Sequence, residues 1–103
     1  MKLIAISAAA ALSLLATPAF ANKALAEKNA CLACHDIATK KVGPAYQDVA
    51  KKYAGKKDAV ASIMASIKGG GVGKWGQIPM PAQAQLNDAD LKTLATWIAG
   101  GAK

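Results

Sequence analysis

Along the chain, apolar residues recur with a helical period in several places, and no run alternates convincingly with the period of two that a strand needs. Residues 23–30, KALAEKNA, are good helix formers and predict a short N-terminal helix that ends in a pair of cysteines. Gly43-Pro44 then breaks the chain, with Pro44 placed to open a second helix through Tyr53 whose apolar face is Tyr46, Val49, Ala50 and Tyr53. After Gly55-Lys56-Lys57, the spacing of Val60, Ile63, Met64 and Ile67 predicts a third helix from Asp58 to Lys68, stopped by Gly69. Asn87 followed by Asp90 reads as an N-cap with an acid in the first turn. Behind it, Leu91, Leu94, Ala95 and Ile98 form a stripe with Trp97 beside it, and Gly100-Gly101 ends this final helix. The fold class is therefore all-α. Between the third and last helices, Gly69 to Gln85 shows no periodicity, and a structureless stretch of that length in a small domain implies a function.

The first residues follow a different pattern. Lys2 precedes an apolar run of 14 residues, Leu3 to Ala16, and then Pro18 and the triplet Ala19-Phe20-Ala21. A membrane-spanning helix needs about 20 residues, so the run reads instead as a cleaved secretory leader with an A-x-A site, residues 1–21. The expected domain is residues 22–103, exported to the periplasm, without a membrane span, and with no cysteine at the junction to take a lipid. A core this small is marginal by itself. It holds only four aromatics, Tyr46, Tyr53, Trp75 and Trp97, so something besides side chains is expected at its centre.

Charge narrows the partners. The formal net charge of +7 becomes +6 when Lys2 leaves with the leader, and all the cations are lysines. Such a field suits acidic partners and steering that weakens with salt. A chain without arginine is poorly equipped for bidentate contacts to bases or phosphates, which argues against nucleic acid.

Cys31-Leu32-Ala33-Cys34-His35 carries the chemistry. C-x-x-C-H is the attachment signature of c-type haem: thiols one helical turn apart can each add to a vinyl group, and the adjacent imidazole then reaches the iron from the same face. A disulfide closing so short a loop would restrain little of the unfolded chain. A thioredoxin-like pair calls for a βαβ setting, and tetrahedral zinc calls for four ligands where this chain's Cys and His residues number three after the leader. For the opposite side of the iron, two methionines remain. Met64 lies on the apolar stripe of the third helix and reads as core. Met80 stands between Pro79 and Pro81 in the aperiodic segment, where a stiffly held thioether suits an axial ligand. With His35 and Met80 both bound, no position is left open for substrate or dioxygen, and electron transfer is the natural task. Sulfur ligation in an apolar crevice places the potential on the high side for a haem.

These residues, with Lys41-Val42-Gly43-Pro44-Ala45-Tyr46, Ile67-Lys68-Gly69-Gly70, Trp75-Gly76-Gln77-Ile78-Pro79-Met80-Pro81 and Leu94-Ala95-Thr96-Trp97-Ile98, give a chain that resembles the small bacterial class I cytochromes c over residues 23–103. Those are short monohaem electron donors of respiring and denitrifying bacteria. The resemblance implies a class I fold of about four short helices around one covalently bound haem c, the first and last crossing near it, with Met80 as distal ligand. It also implies that the Pro44 carbonyl accepts the His35 imidazole proton and that Trp75 donates its indole N–H to a haem propionate. Trp97 keeps a core role. Two positions depart from the pattern: Ser66 stands where relatives often carry an arginine near the propionates, and Gln83 where many carry an asparagine held near the methionine sulfur.

The expected function is a monomeric single-electron carrier, not an enzyme, between respiratory-chain donors and a terminal reductase or oxidase. Acidic redox partners would dock transiently near the haem edge, drawing on lysines 23, 28, 40, 41, 51, 52, 56, 57 and 74. Two other readings stay open: a gas-binding or peroxide-reducing haem protein with a labile sixth position, and a module in which haem only staples the fold.

Overall fold

The structure, a computed structural model, describes residues 19–103. Residues 1–18 of the expected leader lie outside them. Among the described residues four α-helices make the fold: α1 (Ala19–Lys28), α2 (Tyr46–Tyr53), α3 (Ala59–Gly69) and α4 (Asp88–Ala99). Among the described residues there is no strand, only an isolated antiparallel bridge between Gly71 and Met80. α4 packs against each of the other three helices.

Two helices differ from their sequence expectation, each for a local reason. α1 stops at Lys28 instead of running into the motif, because Ala30 takes the left-handed conformation (φ 62°, ψ 19°) and redirects the chain. Cys31–Ala33 therefore forms its own 3-10 turn. The second helix begins at Tyr46, not at Pro44: Ala45 is an extended N-cap (φ −62°, ψ 143°), and Pro44 lies outside the helix. The first amides of α2 are satisfied by backbone, with Tyr46 N–H donating to Asp36 O and Gln47 N–H to Ile37 O, both at 2.9 Å. These bonds dock the head of α2 onto the loop that follows the motif.

α4 behaves as its sequence suggests. The Asn87 side chain accepts from the Asp90 amide at 2.7 Å, and Asp88 and Asp90 occupy the first turn. Its buried face is Leu91, Leu94, Ala95, Trp97 and Ile98. At its end the chain folds back, with Ala102 N–H donating to Trp97 O and the Trp97 indole N–H donating to Lys103 O at 3.1 Å. Onto this face pack Ala26 of α1, Tyr46, Val49 and Tyr53 of α2, Ile63 and Ile67 of α3, and Leu86. Met64 adds a partly buried side chain to the same cluster.

Leu91 is 1% exposed, so Leu91→Ala should cost about 2–5 kcal/mol of unfolding free energy. Asn87→Ala, which removes only a cap, should cost about 1 kcal/mol. Urea unfolding of the holoprotein followed by circular dichroism measures both.

Candidate functional site

The thiols, the imidazole and the thioether singled out in the sequence line one cavity of about 290 Å³. Its lining includes Cys31, Cys34 and His35 with Gly43 and Pro44, and the aperiodic segment from Gly70 to Pro81. Apolar side chains of α2, α3 and α4, among them Val49, Ile63, Leu94 and Ile98, form its floor. Trp75 lines the cavity while remaining exposed, as do Val42, Val72 and Ile78.

On the motif side, the tight turn is closed by His35 N–H donating to Cys31 O at 2.9 Å. The loop then returns, with Gly43 N–H donating to Cys34 O at 2.7 Å, which brings Pro44 beside the ring. His35 Nδ1 lies 2.7 Å from the Pro44 carbonyl. A carbonyl can only accept, so Nδ1 carries a proton, and in the neutral ring Nε2 is then the nitrogen with the lone pair. Two neighbours hold the ring. Tyr46 stacks on it at 5.0 Å between centroids and 18° between planes. On Gly43, a Cβ would come within 2.5 Å of His35 Cε1 and 2.9 Å of Nδ1, so only glycine lets the backbone pass this close. Tyr46 in turn meets Trp97 edge-on at 5.6 Å, which ties the imidazole to α4.

Across the cavity, Met80 is fixed through its backbone. Its N–H donates to Gly71 O at 2.8 Å, and its carbonyl accepts from Gly71 N–H at 3.0 Å. Gly70 has φ +68°, and a Cβ there would collide with the Met80 carbonyl oxygen. Gln83 anchors the following residues: its N–H donates to Ile67 O at 3.0 Å and its side-chain amide to Pro81 O at 3.1 Å.

Burial pushes the Cys31 thiol above its ordinary pKa, partly offset by a hydrogen bond with Tyr46. Burial likewise pushes up the Tyr46 phenol, which stays neutral. A half-buried Cys31 with a raised pKa is unlike the lowered-pKa thiolate of a thioredoxin-like pair. Among the described residues no group of three or more His, Cys, Asp or Glu is placed to hold a metal ion, which leaves a zinc site without its donors. The donor set fits haem c: two thiols one turn apart, an imidazole with Nε2 available, a thioether, and an apolar lining.

Several contributors leave no mark in the sequence pattern. Tyr46 read as one member of an apolar stripe and Gly43 as a helix breaker. Lys74 read as one surface lysine among many, yet its Nζ lies 3.2 Å from Ser66 Oγ and 3.4 Å from the Tyr53 hydroxyl. Lys52 stands over the Trp75 ring at 5.0 Å. Such contacts join residues distant in sequence and leave no mark on periodicity.

Comparison with known proteins agrees with this chemistry. The family model for cytochrome c matches residues 21–101. Cytochrome c-552 of Hydrogenobacter thermophilus is 60% identical over 79 residues, 77% of this chain and 80% of that protein. Cytochrome c-552 of Nitrosomonas europaea is 53% identical over 90 residues, 87% of each. The crystal structure of the wild-type Nitrosomonas europaea cytochrome c552 superposes with a TM-score of 0.74 at 54% identity, covering 76% of this chain and 96% of that one.

Gly43→Ala would drive a methyl into the imidazole and should destabilise the holoprotein by about 1–3 kcal/mol. Gly69→Ala, which meets nothing within 4 Å, should be neutral or slightly stabilising. Thermal unfolding of both variants checks the contrast.

Proposed function

Because the chain belongs to the cytochrome c family, electron-transfer proteins with covalently bound haem c, we propose that it is a periplasmic single-electron carrier whose haem iron is held between His35 and Met80. The observation that supports this most directly is that Cys31, Cys34, His35 and Met80 line one cavity, with Met80 bonded through its backbone to Gly71. When bound, haem c supplies one-electron chemistry through its ferrous and ferric iron. Cys31 and Cys34 hold the porphyrin by thioether bonds. His35 offers Nε2 to the metal, and the Pro44 carbonyl at 2.7 Å keeps the ring oriented and makes it a better donor. Met80 offers its thioether from the opposite side. With His35 and Met80 both engaged in holding the group, no ligating position would be left for a substrate, and the chemistry supplied would be one-electron transfer.

Electrons would leave through the exposed rim of Val42, Val72, Trp75 and Ile78. Trp75 would give its indole N–H to a propionate. Lysines around this rim, within a chain of net positive charge, favour brief docking of acidic redox proteins, on the donor side of a respiratory chain and on the side of a terminal reductase or oxidase. Among the described residues no helix is long and apolar enough to cross a membrane. We place the cleaved leader at residues 1–21 and the working protein, a monomer, at residues 22–103.

Intact mass of the exported protein should show one covalent haem on a chain beginning at Asn22. In the ferric form a weak long-wavelength sulfur-to-iron band should vanish in Met80→Ala and persist in Met64→Ala, and only the first variant should bind carbon monoxide when reduced. Ready binding of carbon monoxide by the unaltered protein would favour a gas-binding role instead. Second-order electron transfer to an acidic partner should slow by about tenfold or more from low to high salt. A rate indifferent to ionic strength would remove the charge-steered docking.

A further inference from the structure

One departure from the family pattern, Ser66, lies beside an unexpected cation. Among the described residues, the lysines lining the cavity are Lys74 and Lys40, and no carboxylate lines it. The Lys74 ammonium sits 3.2 Å from Ser66 Oγ and 3.4 Å from the Tyr53 hydroxyl. An ammonium has three donors, and these contacts leave at least one to point elsewhere; both hydroxyls keep a proton of their own to give. Three donors are thus gathered at one edge of the cavity, from α2, α3 and the aperiodic segment.

Haem carries its vinyl groups and its propionates on opposite edges of the ring. Attachment at Cys31 and Cys34 therefore sends the carboxylates toward the side of the cavity away from the motif, and the donor cluster contains neither of those cysteines. From this juxtaposition we propose that Lys74, seated on Ser66 and Tyr53, is the cation that holds a haem propionate ionised, taking over the charge that position 66 lacks. The inference rests on the haem being held as proposed above. Other cations face the same region. Lys52 lies over the Trp75 ring at 5.0 Å and Lys56 over the Tyr53 ring at 5.8 Å, while Lys40 enters from the loop after the motif. Among the described residues, the hydrogen bonds to Ser66 Oγ and the Tyr53 hydroxyl come from Lys74, so Lys52 and Lys56 add to the field around the cluster. Lys74 is a positioning residue for the propionate, and its effect is electrostatic.

The sign of the effect can be worked out. A neighbouring ammonium favours the ionised carboxyl and so lowers its pKa; removing it raises that pKa. An ionised propionate favours ferric iron, so the reduction potential falls as pH rises through this titration. Midpoint potentials of the holoprotein would be recorded from about pH 4 to 9 for the unaltered protein, Lys74→Met, Lys74→Arg, Lys40→Met, and Lys74→Met combined with Ser66→Arg. Mass and absorption spectrum of each must first show attached haem; failure of that check in the unaltered protein sinks the haem reading, whereas the outcomes below concern Lys74 alone. In Lys74→Met the pH of the potential step should move up by about one unit or more, a tenfold rise in proton affinity. Lys74→Arg and the double variant should restore it, and Lys40→Met should leave it in place. A Lys74→Met curve that follows the unaltered protein, or an equal shift in Lys40→Met, would overturn the assignment.

Discussion

The hydrogen bond between His35 Nδ1 and the Pro44 carbonyl is the constraint around which the rest is arranged. By itself such a bond contributes about 1 kcal/mol, but it decides geometry well beyond its energy. It fixes the tautomer, so that Nε2 is the free nitrogen. Pro44 lies just outside the second helix, whose amides at Tyr46 and Gln47 are served by the Asp36 and Ile37 carbonyls. The same loop closure places Gly43 flat against the ring, and Tyr46 covers the ring with a stack. Through the Tyr46–Trp97 edge contact the imidazole is tied to α4, the helix that all others pack on. Each aromatic pair adds about 0.5–1.5 kcal/mol beyond its burial.

The opposite wall uses a different device. No helix carries Met80; a two-bond bridge to Gly71 and the bracing of Gln83 on Ile67 and Pro81 hold the segment in place. Stiffness comes from backbone pairing at one end and from flanking prolines at the other, and Gly70 permits the close approach of the two strands of chain. Met64 on the neighbouring helix packs partly buried against the same core as Met80, but only Met80 also lines the cavity. Two rigid walls built by unrelated means thus face one apolar cavity, which suits a site that must change charge without changing shape.

How much of this could be read in advance depends on the range of the interaction. α3 and α4 were legible because their apolar stripes and the Asn87 cap are local signals. Cys31, Cys34, His35 and Met80 could be singled out from residue type and spacing, and the structure brings all four to one cavity. The end of α1 was missed because it turns on Ala30 adopting a left-handed conformation that alanine seldom takes. The start of α2 was missed because proline ordinarily opens a helix, and here its carbonyl is engaged by a side chain nine residues earlier. Contacts such as Lys74 with Ser66 and Tyr53 need the fold before they exist, so no reading of periodicity or composition could supply them.

The central claim is that imidazole and thioether cap one iron from opposite faces, and the most direct test is the proton NMR spectrum of the reduced protein. Protons directly above a porphyrin plane are shifted far upfield by its ring current. A three-proton methionine methyl signal outside the protein envelope at the upfield end, lost in Met80→Ala and kept in Met64→Ala, is the result expected. An unshifted Met80 methyl in a haem-loaded, reduced sample would contradict the account.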